Sequence, residues 1–259
     1  MSVAIAADYS IDELMAAVLA RQLRPGEVAI MGAVSALPQA ACRLAQLTTA
    51  PGLWLIAGGS GAVNPHLDPL VASSCDEQLL DADVVLPLPN VILLEGRGDV
   101  IDVFFAGGLQ IDAHGNCNLG PVGPWHHPNL RCPGGVGLPF VALAGRVVIY
   151  SQSHNRRTFV EHVDFISGPG FPAGSGRLPG GGPSLIVTPL CTMDFDPETR
   201  LARLATLHPG VTLEQVQEAT GFVPILPTRL ETTPAPTPEE LAILRRLDRA
   251  GLLRESARS

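Results

Sequence analysis

The hydrophobic positions in the first part of the chain alternate between a helical and an extended periodicity. The predicted elements are a helix over residues 10–23, a strand over 28–31, a helix over 38–47 and a strand over 53–57. Ser10 and Glu13 have the spacing of a capping box at the start of the first helix, and Pro25 with Gly26 ends it. Because helices and strands alternate, the pattern predicts an open α/β fold with a mostly parallel sheet and flanking helices.

The rest of the chain continues as strands, helices and long connections. The predicted elements are a helix or helix–loop over residues 84–95, a strand over 101–105, a helix over 138–144, strands over 147–150 and 185–190, a hairpin of 193–195 with 201–207, a helix over 212–220 and a final helix over 239–253. Residues 168–183 are rich in Gly and Pro and form a loop, and residues 232–238 form a Pro/Thr linker. We find no internal repeat, so residues 1–259 are predicted to be one domain with a C-terminal helical tail after the linker.

The segment from residue 100 to residue 118 organises the rest of the sequence. It begins as an almost continuously apolar strand, which is typical of the middle of a sheet covered on both faces. After a pair of glycines, polar residues recur at every second position, at Gln110, Asp112, His114 and Asn116. On an extended segment these side chains would point to one side and line a rim of the sheet. The alternative is a turn, in which Asp112 and Asn116 are present for turn geometry.

A first glycine-rich loop, residues 58–61, follows the strand over 53–57. Such a loop lets backbone amides approach a ligand, although a tight turn without a ligand has the same composition. The sequence around Ser60 also approximates a nucleophile elbow, which requires a helix directly after the serine. Pro65 and Pro69 oppose that helix, and the G-x-G-x-x-G pattern of a dinucleotide loop is not present.

A second glycine-rich loop, residues 131–137, precedes the predicted helix over 138–144. Free amides at the start of a helix can bind an anion or an oxyanion, whereas a crowded crossover also needs small residues. Further on, Arg156 and Arg157 are adjacent and could hold a phosphate, although such a pair is more often a solvated face.

Composition excludes several classes of function. The chain of 259 residues is 46% hydrophobic and 16% charged, which indicates a globular protein with a substantial core. A net charge of −8 argues against a nucleic-acid-binding protein. All 17 basic residues are arginine, so this chain cannot supply the lysine of a P-loop or of a Schiff base.

The spacing of cysteine and histidine indicates neither a disulfide framework nor a metal site. The cysteines are scattered without a C-x-x-C pair, at Cys42, Cys75, Cys117, Cys132 and Cys191. The N-terminus lacks the features of a secretion signal, and no apolar run reaches the length of a membrane span. We therefore expect a soluble cytoplasmic protein with reduced thiols and without a metal, a membrane or a nucleic acid as partner.

Several segments together resemble the β subunit of the glutaconate-type (class I) CoA-transferase family. The matching segments are IDVFFAGGLQIDAHGNCN with its G-x-x-Q-I-D-x-x-G-N motif, RCPGGVG, HNRRTFVEHVDFISGPG, LATLHPGVTLEQVQEATGF and PTPEELAILRRLD. They cover most of the chain from about Leu86 onward. The resemblance implies a CoA-transferase-like fold and an obligate α subunit, usually in an α2β2 assembly. It also implies a coenzyme A thioester as substrate, with no permanently bound cofactor.

One position departs from the family pattern. In the transferases a glutamate follows the strand that corresponds to residues 53–57, attacks the acyl-CoA and becomes a glutamyl-CoA thioester. Here that place falls on or near Gly59, and loop 58–61 contains no carboxylate. Relatives without this glutamate include ring-opening hydrolases of cyclic-ketone CoA thioesters and a CoA-ester decarboxylase. The resemblance therefore implies hydrolysis, C–C cleavage or decarboxylation of an acyl-CoA, without a covalent step on this chain.

The predicted acyl-CoA-binding residues belong to the two glycine loops and the polar row. They are Gly58, Gly59, Ser60, Gly61, Gln110, Asp112, Asn116, Gly134, Gly135 and Gly137. The glycines would place backbone amides around the thioester carbonyl. The acid–base carboxylate is expected from the α subunit, because Asp68 or Glu95 would need a rearranged loop to reach in. Two alternatives stay open: ordinary CoA transfer with a nucleophile supplied otherwise, and a non-catalytic subunit that completes the partner's pocket.

Overall fold

A ten-stranded sheet with helices on both faces forms the framework of the protein. A computed structural model describes residues 8–132, 134–135, 137–174 and 176–255, with side chains up to residue 253. Two predicted features extend beyond these residues: the N-terminal segment, and parts of the second glycine loop at Pro133 and Val136. Every helix in the described part of the chain is too short or too polar to span a lipid bilayer.

The elements follow one another along the chain as helices and mostly short strands. The helices are α1 (Ile11–Ala20), α2 (Ala36–Leu47), α3 (Leu88–Glu95), α4 (Leu213–Ala219), α5 (Pro238–Leu247) and α6 (Leu252–Glu255), with 3₁₀ helices at Glu77–Leu80 and Leu138–Leu143. The strands are β1 (Val28–Met31), β2 (Trp54–Ala57), β3 (Ala62–Pro65), β4 (Ala82–Val85), β5 (Val103–Ala106), β6 (Gln110–Ile111), β7 (Cys117–Asn118), β8 (Pro121–Val122), β9 (Leu130–Arg131), β10 (Arg146–Tyr150), β11 (Pro183–Val187), β12 (Cys191–Phe195), β13 (Ala202–Leu207) and β14 (Glu231–Thr232).

The large sheet has a parallel centre and antiparallel flanks. Its strand order is β14-β13-β12-β11-β10-β5-β1-β2-β3-β4. Strands β11, β10, β5, β1 and β2 run parallel, while β12, β3 and β4 pair antiparallel with their neighbours. Strands β6–β7 and β8–β9 form two separate hairpins outside this sheet. The predicted α/β class with a mostly parallel sheet is therefore confirmed.

Two hydrophobic cores lie on opposite faces of the sheet. One contains α1, α2 and α5, with Met31 and Phe105 from the central strands. The other contains α3, the second 3₁₀ helix and α4, with Ile30 and Phe104. Successive residues of a strand point to opposite faces, so β1 and β5 contribute to both cores and are apolar throughout.

Most predicted elements are present with boundaries shifted by a few residues. Helix α1 begins after Ser10, whose side chain accepts the Glu13 amide at 3.0 Å while the Glu13 carboxylate accepts the Ser10 amide at 2.8 Å. Helix α4 has the same type of cap at Thr212. The hairpin of β12 with β13 and the loop that precedes β11 are also as predicted.

Four predicted elements need correction. Residues 84 and 85 belong to β4, which pairs with β3, and the helix begins only after Pro87. Residues 188–190 form a turn, so the strand predicted over 185–190 ends at residue 187. Residues 138–143 form a 3₁₀ helix. The final helix is interrupted after residue 247, because Asp248 ends α5, Gly251 has φ 76°, and the Asp248 carboxylate accepts the first amides of α6.

Two imidazoles connect the ends of β11 and β13 to the segments beside them. The ring nitrogens of His208 lie 2.8 Å from Thr233 Oγ1 and 2.7 Å from the Thr188 carbonyl oxygen. His154 Nδ1 lies 2.8 Å from Thr188 Oγ1, and its ring stacks on Phe159. Burial lowers the pKa of both histidines to about 4. A neutral His208 satisfies both contacts, since one nitrogen donates to the carbonyl and the other accepts from the hydroxyl.

We predict that His208 makes the fold sensitive to acid. The unfolded chain binds a proton at this histidine near pH 6.5 and the folded chain only near pH 4, so its contribution is full above pH 6.5 and is lost as the pH falls towards 4. The shift corresponds to about 3 kcal/mol. Urea unfolding from pH 8 to pH 4.5 should show the stability gap between wild type and His208→Gln shrinking as the pH falls. The exposed control His126→Gln should show a constant gap, and a pH-independent gap for His208→Gln would contradict the assignment.

Candidate functional site

The carboxyl edge of the parallel strands is where the fold favours a binding crevice. The chain leaves β1 through α2 towards β2 on one side, whereas β5 lies on the other side of β1 and leads to β10 beyond it. Ligands of open α/β sheets bind outside the carboxyl ends of the strands at such a reversal of direction. The strand order therefore predicts a crevice between residues 32–34, which follow β1, and Gly107, which follows β5.

Loop 58–61 flanks this crevice as a tight turn of the β2–β3 hairpin. The amides of Gly58 and Gly61 donate to the carbonyl oxygens of Met31 and Ala57 at 3.1 and 2.8 Å. Gly61 has φ 73°, and a Cβ there would overlap the carbonyl oxygen of Leu86. The turn therefore requires glycine for its geometry. The nucleophile-elbow interpretation is wrong, because a strand and not a helix follows the serine.

Gly59 is exposed, and two side chains that the sequence analysis did not connect with it lie against one side of it. Its amide donates to the buried Ser74 Oγ at 3.2 Å. A Cβ built at Gly59 would lie 2.7 Å from that oxygen and would overlap the thiol of Cys75, which is exposed. No side chain fits at position 59 unless both neighbours move. Asp68, a candidate substitute carboxylate, instead binds Arg249 at 2.9 Å.

The predicted polar row is a turn and not a rim of parallel side chains. Only residues 110–111 and 117–118 are extended, as the short strands β6 and β7. Asp112 Oδ1 accepts the amides of His114 and Asn116 at 3.0 and 3.1 Å, and Asn116 Nδ2 donates to Asp112 Oδ2 at 2.9 Å. Asn116 Oδ1 accepts the Gly170 amide at 2.8 Å. The polar residues recur at every second position because their side chains form hydrogen bonds to backbone amides that stabilise the turn.

Gln110 and Asn118 connect this turn to the segment around Asp164. Gln110 Nε2 donates to Asp164 Oδ2 at 2.8 Å, and its Oε1 accepts Asn118 Nδ2 at 2.7 Å. Because Gln110 and Asn118 are buried and bonded within the chain, they position the surrounding backbone. A contact of Gln110, Asp112 or Asn116 with substrate stays a prediction.

The second glycine loop packs on the same hydrogen-bonded unit. The Leu119 amide donates to Ser167 Oγ at 2.9 Å, and the Gly134 amide donates to the Leu119 carbonyl oxygen at 3.3 Å. A Cβ at Gly135 would meet Ser167 Cβ at an ordinary 3.5 Å. Among the described residues, no contact joins this loop to loop 58–61. The expectation that both loops surround one carbonyl therefore stays a prediction.

Glu95 is a buried carboxyl beneath the second glycine loop. It ends helix α3 and is 6% exposed, and its Oε2 has no hydrogen-bond partner among the described residues. A Cβ at Gly137 would lie 2.9 Å from Glu95 Oε1, so any larger residue there would have to displace the carboxyl. Burial raises the pKa of Glu95 to about 7, because the charged form loses its hydration. Near neutral pH this carboxyl can therefore exist in either protonation state.

The described residues contain no cluster of three or more His, Cys, Asp or Glu side chains arranged to hold a metal ion. The residues of the site region that sequence reasoning missed are Ser74 and Cys75, which lie against Gly59. No local signal could have identified them, since they lie about fifteen residues from that glycine.

We predict a specific steric coupling between Gly59 and Cys75. Gly59→Ala should lower the free energy of unfolding by about 1 kcal/mol, because the added methyl group displaces the Ser74 hydroxyl and the Cys75 thiol. Cys75→Ala removes the thiol and should recover part of this loss in the double variant, giving a coupling of about 0.5 kcal/mol or more in urea unfolding. Gly32→Ala is the control, since a Cβ there meets nothing within 4 Å. An equal cost of Gly59→Ala with and without the thiol would refute the contact.

We also predict that Glu95 opposes folding at alkaline pH. The folded protein keeps the Glu95 proton up to about pH 7, whereas the unfolded chain loses it near pH 4.5. The stability that goes with the protonated carboxyl is therefore full below pH 4.5 and is lost as the pH rises through about 7. Glu95→Gln should therefore gain about 2–3 kcal/mol relative to wild type between pH 4.5 and pH 8. The measurement is urea unfolding across this range, with the exposed Glu218→Gln as control. A gain that does not grow with pH would show that the buried carboxyl is not the cause.

Comparison with known proteins places this architecture in a family. The family model of Coenzyme A transferase matches residues 13–219. The chain is 36% identical over 246 residues to the β subunit of 3-oxoadipate CoA-transferase from Pseudomonas knackmussii, covering 93% of this chain and 94% of that one. It is 30% identical to the cholesterol ring-cleaving hydrolase IpdB subunit of Rhodococcus jostii, covering 82% and 81%.

The fold agrees with a solved structure of different chemistry. The crystal structure of the decarboxylase AibA/AibB superposes with a TM-score of 0.83 at 27% identity, over 95% of this chain and 98% of that chain. Transferase, hydrolase and decarboxylase relatives thus share one architecture. Since the family model covers most of the chain, the protein belongs to the Coenzyme A transferase family of enzymes.

Proposed function

We propose that this chain is the β subunit of a heteromeric enzyme that processes an acyl-CoA thioester. Two relatives are themselves single subunits of larger enzymes, one of a transferase and one of a ring-cleaving hydrolase. Together with the two-component AibA/AibB structure, they support a partner α subunit. We place the acyl-CoA at the interface of the two subunits, in an α2β2 assembly in the cytoplasm. The thioester is substrate, and no permanently bound cofactor is part of the proposal.

The observation that carries the proposed chemistry is that the exposed position 59 has no side chain, with the Ser74 hydroxyl and the Cys75 thiol beside it. A covalent acyl acceptor must extend a carboxylate from the turn towards the thioester carbon. Gly59 has no side chain, and Ser74 with Cys75 occupies the volume that one would need. The reaction therefore proceeds without glutamyl-CoA on this chain, as hydrolysis, C–C cleavage or decarboxylation. The α subunit supplies the acid–base carboxylate, because Asp68 is engaged by Arg249.

In this scheme the chain binds and orients the acyl-CoA. Loop 58–61 and Gly107 form walls of the crevice, and the turn around Asp112 holds the adjoining backbone. The amides of Gly58, Gly59 and Gly61 already donate within the chain. Polarisation of the thioester carbonyl by this chain therefore depends on the second glycine loop, at Gly135 and Gly137, because the Gly134 amide also donates within the chain. An oxyanion contact of this kind lowers the barrier by about 3 kcal/mol.

Ordinary CoA transfer is the second candidate, favoured by the 36% identity to a subunit of a transferase. It requires a nucleophile from outside loop 58–61. A non-catalytic subunit that completes the partner's pocket is the third candidate, and the missing carboxylate is what favours it.

We predict that no glutamyl-CoA forms on this chain during turnover. The complex with the α subunit would be incubated with acyl-CoA thioesters, including 3-oxoadipyl-CoA, treated with hydroxylamine or borohydride, and digested for mass spectrometry. Unmodified glutamates in this chain with continued turnover are the expected result. The 3-oxoadipate CoA-transferase, treated in parallel, is the positive control for trapping.

Two other results would change the assignment. A mass change on a glutamate of this chain would restore the transferase mechanism. Unmodified peptides with turnover that survives alanine substitution of Gln110, Asp112 and Asn116 in a stable complex would favour the non-catalytic subunit.

A further inference from the structure

A cavity of about 330 Å³ lies at the opposite edge of the sheet from the proposed acyl-CoA crevice. Its walls come from the loop that precedes β11 and from the turn between β12 and β13, at the amino end of the parallel strands. The rings of Phe171 and Phe195 pack edge to face, with centroids 5.5 Å apart, and both line the cavity. The volume is at the lower end of the range of small-molecule sites.

Two carboxylates line this cavity, and only one of them is paired with an arginine within the described residues. Asp194 binds Arg203 through two bonds of 2.8 and 2.7 Å. Asp196 Oδ1 accepts the amides of Glu198 and Thr199 and the Thr199 hydroxyl. These bonds hold the carboxylates in place and lower the pKa of Asp196. The charge of Asp194 is balanced by Arg203, whereas Asp196 stays ionised and contributes one negative charge against the two arginines, Arg177 and Arg200, that also line the cavity.

Two arginines of the cavity have no carboxylate partner in the described part of the chain. Arg200 donates to the Gly176 carbonyl oxygen at 3.2 Å, and its guanidinium lies over the Phe171 ring at 5.5 Å. Arg177 lines the cavity and forms no ion pair there. The site therefore combines aromatic rings with two guanidinium groups, whose paired N–H donors can bind two oxygens of one phosphate. An anion with a planar ring could use both features.

We propose that this cavity is a binding site for a nucleotide, with its base against the rings of Phe171 and Phe195 and its phosphate on Arg177 and Arg200. The site lies beyond the proposed function, since it occupies the other edge of the sheet. A free nucleotide and the nucleotide end of a CoA molecule share this chemistry. Competition between AMP and CoA distinguishes the two sources.

The test is calorimetric titration of the α/β complex with AMP. Arg177→Ala should weaken AMP binding at least tenfold, because it removes a charge-assisted contact. This exposed side chain has no partner to lose, so the fold should be unaffected. Arg246→Ala, an exposed arginine on α5, is the matched control and should bind AMP as wild type does.

Inorganic phosphate separates the two halves of the site. Phe195→Leu should weaken AMP binding severalfold while leaving phosphate binding at its wild-type level, because Phe171 and the Arg200 guanidinium stacked on it are retained, whereas Arg177→Ala should weaken both. Displacement of AMP by CoA from the Arg177-dependent site would identify the CoA nucleotide as the ligand, and coexistence of the two would identify a free nucleotide. The proposal is overturned if wild type shows no saturable AMP binding at millimolar concentration, or if Arg177→Ala binds AMP as tightly as wild type.

Discussion

The parallel pairing of β1 with β5 is the constraint on which the candidate site depends. Ile30 lies opposite Phe104 and Met31 opposite Phe105, and these neighbours point alternately into the two cores. A strand buried on both faces must satisfy its backbone within the sheet, so the register cannot slip without exposing apolar side chains. The segments that leave these strands therefore emerge side by side, and the crevice between them follows from the order of the strands.

Much of the fold could be predicted because its signals are local. The capping box of α1 and the apolar strand before Gly107 need only neighbouring residues to be recognised. The turn around Asp112 was harder, because a polar residue at every second position is produced both by a strand and by a turn that bonds its own amides. The site was least predictable, since the folding of β3 and its following loop brings Ser74 and Cys75 against the exposed Gly59. Sequence spacing carries no information about such contacts.

The two glycine loops show why a shared composition does not imply a shared role. In loop 58–61 the glycines serve the hairpin, because one has a positive φ and three amides donate within the chain. In the second loop, a Cβ at Gly135 meets only ordinary contacts, whereas Gly137 faces the carboxyl of Glu95. The second loop thus has a glycine that packing does not require, together with a buried carboxyl that titrates near neutrality.

Similarity to a transferase does not require that this chain performs the covalent step of a transferase. The fold depends on cores spread over both faces of the sheet, and dozens of apolar side chains contribute to them. The covalent step of a transferase depends instead on one side chain at the end of one strand. Replacing that side chain by glycine leaves the cores untouched, and the neighbouring Cys75 then occupies the volume. Overall sequence and fold similarity is determined mainly by the residues of the two cores and depends little on position 59. The reaction type must therefore be inferred from the residues around Gly59.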